Sequence, residues 1–102
     1  MAKNVINEKG FKIISLSPYE CFEINFGFET ELICDNCNKL LNDEEEVYYI
    51  PVLNRVFCKD YLKDWYETAT YYPEDAYYEA LKYDTISNYI EVNNGDVNIK
   101  DL

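Results

Sequence analysis

A chain of 102 residues, 48% of them hydrophobic, is long enough to bury one modest core and too short for a second domain. Nine basic residues against twenty acidic ones leave a formal charge of -11 with no histidine, and Arg55 with eight scattered lysines offers little to replace counterions along a nucleic-acid backbone. Direct nucleic-acid binding is therefore disfavoured, whereas so negative a field suits a positively charged protein surface, and equally suits simple solubility as a monomer.

Residues 1 to 10 read as a loosely held lead, in which Glu8 and Lys9, followed by Lys12, interrupt any signal-peptide segment. No apolar run approaches the roughly 20 residues that span a bilayer, so no membrane association and a cytoplasmic location are expected. Phe11, Ile13, Ile14 and Leu16 suggest a short strand, ended by a turn at Ser17-Pro18-Tyr19. In residues 21 to 32 Phe22, Ile24, Phe26, Phe28 and Leu32 share one parity, with Glu23, Asn25, Glu29 and Glu31 on the other, which predicts a strand with a core side and a wet acidic side. That strand leads into a turn holding Cys34 and Cys37, and Asp43, Glu44, Glu45 and Glu46 form a solvated acidic bend.

Residues 47 to 57 read as two short strands linked around Pro51 to Arg55, with Pro51 at an edge or turn, where its missing N–H costs no ladder bond. Cys58 then falls at the end of a hairpin. Leu62, Trp65, Tyr66 and Ala69 follow at offsets of three, four and seven, a helical apolar stripe with Asp60 at its cap or first turn. Pro73, Glu74 and Asp75 signal the start of a second helix that would turn Ala76, Tyr77, Ala80 and Leu81 inward. Residues 86 to 92 are expected to add a short strand or final turn, and 93 to 102 a hairpin or flexible tail. The sum is one α+β domain over residues 1 to 102, a small antiparallel sheet with a zinc knuckle or hairpin followed by two short helices.

Four cysteines in a reducing compartment point to thiols or metal ligands before disulfides. Cys34 and Cys37 can reach one ion from a tight turn, and Cys58 can join them from the far end of the hairpin, a set that suits structural Zn2+. Three residues compete for the fourth place: Asp60, at the start of the following helix, then Cys21, then Asp64, which would need its helix face turned inward. A thiol–disulfide couple of Cys34 and Cys37 is the alternative chemistry, though the surrounding sequence is polar and acidic and lacks the helix entry or positive charge that activates such pairs. A catalytic zinc is disfavoured because no histidine and no H-E-x-x-H or deaminase pattern accompanies the cysteines. No enzymatic activity is expected.

Residues 34 to 37, Cys-Asp-Asn-Cys, together with residues 47 to 61, resemble the treble-clef or LIM-like zinc modules of small bacterial and phage proteins. In those modules ligands come as two pairs. Cys34, Cys37 and Cys58 match three of the four, and Tyr61 stands at the fourth by spacing. The whole chain, short, acidic and tyrosine-rich, also resembles phage-encoded anti-CRISPR proteins, more narrowly a zinc-containing inhibitor of the type II RNA-guided nuclease. That resemblance implies a protein that works in the host bacterial cell by binding a basic surface of the nuclease and interfering with target-DNA loading. Glu29, Glu31, Asp43 to Glu46, Glu74, Asp75 and Glu79 are the candidate acidic contacts, and Tyr48, Tyr49, Tyr71, Tyr72, Tyr77 and Tyr78 the candidate aromatic anchors, some of which must belong to the core. An adaptor that binds transcription machinery is the alternative partner reading.

Overall fold

The computed structural model describes the backbone of residues 2–23 and 46–102 and the side chains of 2–20, 46–95 and 97–102. Five strands are described: β1 (Ala2–Ile6), β2 (Ile14–Leu16), β3 (Val47–Ile50), β4 (Arg55–Phe57) and β5 (Val92–Asn98). Three helices accompany them: α1 (Pro18–Glu23), α2 (Lys59–Thr68) and α3 (Ala76–Ser87), the last entered through a 3-10 turn at Pro73–Asp75. The fold is α+β. The strands form one sheet in the order β4-β3-β2-β1-β5, antiparallel except that β1 and β5 run parallel. The sheet is thus mixed, where a purely antiparallel one was expected.

The N-terminal residues are not a loose lead. Ala2 and Val5 are buried and β1 lies inside the sheet, hydrogen-bonded on both sides. Its partner β5 comes from residues read as a hairpin or tail, and the pairing closes the two ends of the chain on each other. Gly95 makes this possible: a Cβ there would sit 2.2 Å from the Asn4 carbonyl oxygen, beside the register shift between Asn4 and Ile6.

The turn expected at residues 17 to 19 is a helix start. Ser17 Oγ accepts from the Glu20 N–H at 3.2 Å, and a Glu20 carboxylate oxygen accepts from the Ser17 N–H at 3.0 Å, a reciprocal capping box. Residues 21 to 23 continue α1, so the strand expected from residue 21 does not begin there; its remainder, 24 to 32, lies outside the described residues, as do Cys34 and Cys37.

The hairpin follows the reading of residues 47 to 57. Tyr48 pairs with Phe57 and Tyr49 with Val56, and the loop at 51–54 places Asn54 in the left-handed region (φ 54°), where its side chain accepts a 2.7 Å hydrogen bond from Tyr49 OH. Register sorts the two faces. Lys3, Ser15, Tyr48 and Phe57 lie in one row across the sheet, and Asn4, Ile14, Tyr49 and Val56 lie in the next row, on the opposite face. Phe57 meets Tyr61 edge-on at 4.7 Å and Trp65 at 6.0 Å, which puts α2 on the first face, and Tyr83 OH donates to Asn4 Oδ1 at 2.9 Å, which puts α3 on the second.

Leu62 is fully buried and Trp65, Tyr66 and Ala69 are half-buried, as the stripe in α2 predicts. The β1–β2 connection caps the far end of this helix. Lys9 Nζ donates to the carbonyls of Tyr66 at 2.5 Å and Ala69 at 2.8 Å, while Tyr66 OH accepts from the N–H groups of Glu8 and Lys9. In α3 the inward face is Glu79, Tyr83 and Ile86, with Ala80 half-buried; Ala76, Tyr77 and Leu81 are exposed, the reverse of the expectation for those three.

Candidate functional site

The sequence points to two places, the cysteine at the hairpin–helix junction and the acidic, tyrosine-rich surface. At the first, β4 delivers Cys58 to the N-cap of α2, and its Sγ accepts a hydrogen bond from the Tyr61 N–H at 3.5 Å. A sulfur at the open end of a helix sits among backbone N–H groups that have no acceptor within the helix. Cys58 is buried and lies directly beyond the β3–β4 hairpin, so hairpin and helix start meet at this sulfur.

The competing fourth ligands are placed differently from one another. Asp60 stands in the first turn of α2, two residues past Cys58, and is exposed. Asp64 is exposed on the side of α2 away from its buried Leu62, so the inward turn it would need is not made. Cys21 belongs to the last turn of α1 and not to the start of a strand. Tyr61, at the fourth position by spacing, packs its ring edge-on against Phe57 and contributes its backbone N–H to Cys58. Among the described residues no three His, Cys, Asp or Glu side chains come together to hold a metal ion; Cys34 and Cys37 lie outside them.

At the second place, the tyrosines divide. Tyr48 and Tyr49 are buried strand residues on opposite faces of the sheet. Burial, with the nearby Glu46 carboxylate that accepts its hydrogen bond, pushes the Tyr48 hydroxyl up to about 12; burial and then Tyr78 also raise that of Tyr49. Tyr71 is half-buried against Phe11, ring centroids 5.4 Å apart, its hydroxyl raised by desolvation and then by Glu79. Tyr72, Tyr77 and Tyr78 are exposed, together with Leu81 and Tyr89.

Of the acidic candidates, Glu46 and Glu74 are exposed and Asp75 is half-buried, while Glu29, Glu31, Asp43, Glu44 and Glu45 lie outside the described residues. Glu79 is only 2% exposed. One of its carboxylate oxygens accepts from the Lys12 N–H at 3.0 Å and the other from Tyr71 OH at 3.5 Å, so this group ties α3 to the β1–β2 connection and offers no outward contact. Exposed acids that the sequence reading passed over as contacts include Glu67, Asp84 and Glu91; helical phase in α2 and α3 would have found the first two.

No protein-family model, curated protein or solved structure matches this chain.

One further feature concerns the sheet face covered by α2. Among the described residues Ser15 Oγ is buried without a hydrogen-bond partner, and it lines a cavity of about 80 Å³ walled by Lys3, Val5, Glu46, Tyr48, Val97 and Leu102. That volume has room for several water molecules, each needing about 10–15 Å³ on this measure. Among the described residues, no helix is long and apolar enough to cross a membrane.

Proposed function

We propose that this chain is a non-catalytic, zinc-stabilised acidic binding protein that inhibits a type II CRISPR RNA-guided DNA nuclease by occupying one of its basic surfaces and interfering with target-DNA loading. The observation that carries the reading is the distribution of charge and aromatic rings. Glu74, Asp84 and Glu91, in and around α3, are exposed on the same stretch of chain as the exposed tyrosines 72, 77, 78 and 89. Carboxylates steer the encounter with a positive channel, and tyrosines supply contact area at low entropic cost.

In this reading Cys34, Cys37 and Cys58, completed by Asp60, hold Zn2+ as a structural ion. Its task is to fasten residues 34–37 to the hairpin and to α2, with Cys58 at the helix N-cap. The test of the inhibitory function is an order-of-addition cleavage assay. Guide-loaded nuclease incubated with this protein before target DNA should lose cleavage at near-equimolar ratio, and nuclease already bound to DNA should be affected less. Undiminished cleavage at a large excess of protein in either order would refute the assignment.

A further inference from the structure

We infer that the outer face of α3, centred on Tyr77 and Leu81, is the docking surface for a positively charged protein partner. The inference rests on the binding-protein reading and says which surface does the binding.

The two long helices differ in how they meet solvent. Helix α2 turns Leu62, Trp65 and Tyr66 to the core and leaves Lys63, Asp64, Glu67 and Thr68 outside, the ordinary pattern of a helix that ends at water. Helix α3 carries apolar side chains on both sides. Its inward face holds Tyr83 and Ile86 with half-buried Ala80 around the buried Glu79 carboxylate, while Ala76, Tyr77, Tyr78 and Leu81 point out, with Tyr77 81% and Leu81 51% exposed. Tyr77 and Leu81 are one turn apart and so adjacent on the helix surface, and Tyr78 extends the patch to one side. The outward side chains give α3 little stability where they stand, since they are not removed from water.

Charge selects the occupant. Glu74 precedes Tyr77 by three residues and Asp84 follows Leu81 by three, so both exposed carboxylates flank the stripe on the same face. Tyr78 already has Lys82 Nζ over its ring at 5.4 Å from the centroid, a within-chain example of the contact that an incoming lysine or arginine would make with Tyr77. A second copy of the chain is a poor occupant. It would bring the same Glu74 and Asp84 against their counterparts and add another net charge of -11. A partner that presents basic side chains around an apolar centre satisfies both the ring faces and the flanking carboxylates.

The test maps amide chemical shifts of the full chain during titration with an oligoarginine peptide and, separately, measures binding to guide-loaded nuclease. Shifts centred on Tyr77, Tyr78, Leu81 and Asp84 are expected. The charge-neutral double variant Tyr77→Ser, Leu81→Ser should weaken peptide binding roughly tenfold or more, while Asp64→Asn on α2 should change it by less than about threefold. Shifts spread over every exposed carboxylate, with the double variant binding like wild type, would overturn the inference, as would self-association in place of peptide binding. If the peptide docks on α3 but the nuclease is neither bound nor inhibited, the surface stands and the partner assignment falls. If wild type and double variant inhibit the nuclease equally, the inhibitory function stands and this surface is wrong.

Discussion

Replacing Glu79 separates a fold residue from an interface residue. Its carboxylate accepts a charge-assisted hydrogen bond from the Lys12 N–H at 3.0 Å, and the Tyr71 hydroxyl lies at 3.5 Å, the outer limit of a useful bond. A hydrogen bond to a charged group contributes about 1.5–3 kcal/mol, and truncation to Ala also leaves a half-buried N–H without an acceptor. The weak Tyr71 contact adds little, so Glu79→Ala should cost about 2–3 kcal/mol, and Glu79→Gln, which keeps an oxygen for Lys12, about 1 kcal/mol. For a domain of this size 1 kcal/mol moves Tm by about 4–8 °C, so the Ala variant should melt at least about 8 °C early. Urea unfolding followed by circular dichroism, with an unchanged m-value as the check on two-state behaviour, measures both variants. An Ala variant within about 0.5 kcal/mol of wild type, or a Gln variant as damaged as Ala, would refute the reasoning. In the first case Glu79 would have to be exposed in solution and open to a partner.

Four further outcomes follow from the same structure. The Tyr48 hydroxyl is held at about 12 against an ordinary 10, so its contribution is complete below pH 10 and is lost as pH rises through about 12; at about 1.4 kcal/mol per pH unit the folded state should lose about 2–3 kcal/mol over that window. Phenolate absorbance should show Tyr48 ionising only with or after unfolding; Tyr48 ionising near pH 10 in a folded protein would contradict this. Gly95→Ala would force a Cβ to 2.2 Å from the Asn4 carbonyl, and thermal melts should show a loss of about 1–3 kcal/mol as β1 and β5 separate; an unchanged melt would mean that the parallel pair does not form. Ser15→Ala removes a hydroxyl that has no partner among the described residues, so its unfolding free energy should match wild type within about 0.5 kcal/mol. Cys58→Ser keeps a good N-cap for α2 and removes a zinc ligand, so the variant should lose bound zinc and stability together; a variant as stable as the zinc-treated wild type would remove the metal from the account.

Local patterns carried the reading where residues pair or pack with near neighbours. Tyr48 to Phe57 form a hairpin because both strands and the turn lie within eleven residues, and the stripe in α2 is legible because Leu62, Trp65 and Tyr66 all turn to the core side of the helix. Reading α3 inward from Ala76 and Tyr77 misplaced its face, since the side chain that anchors it is a carboxylate, Glu79, which composition assigns to solvent. Strand β1 went unread because Ala2 and Val5 are a weak signal and its parallel partner lies some ninety residues away, a contact that no local window contains. The start of α1 was legible in Ser17-Pro18-Tyr19-Glu20 as a capping box, but the alternating apolar residues beyond it competed for the same stretch. At the candidate site, the apolar stripe with Asp60 at its cap or first turn placed the helix start; Asp60 is in the first turn, and the cap is Cys58, two residues earlier. Which tyrosines anchor and which fill the core depends on sheet register, and register is a tertiary property.

Native mass spectrometry of this protein mixed with guide-loaded type II nuclease tests the central claim most directly. The account predicts one copy of the chain bound per nuclease, each carrying one zinc ion, in a complex that does not take up target DNA. A nuclease that binds target DNA normally while this protein remains apart and metal-free would contradict it.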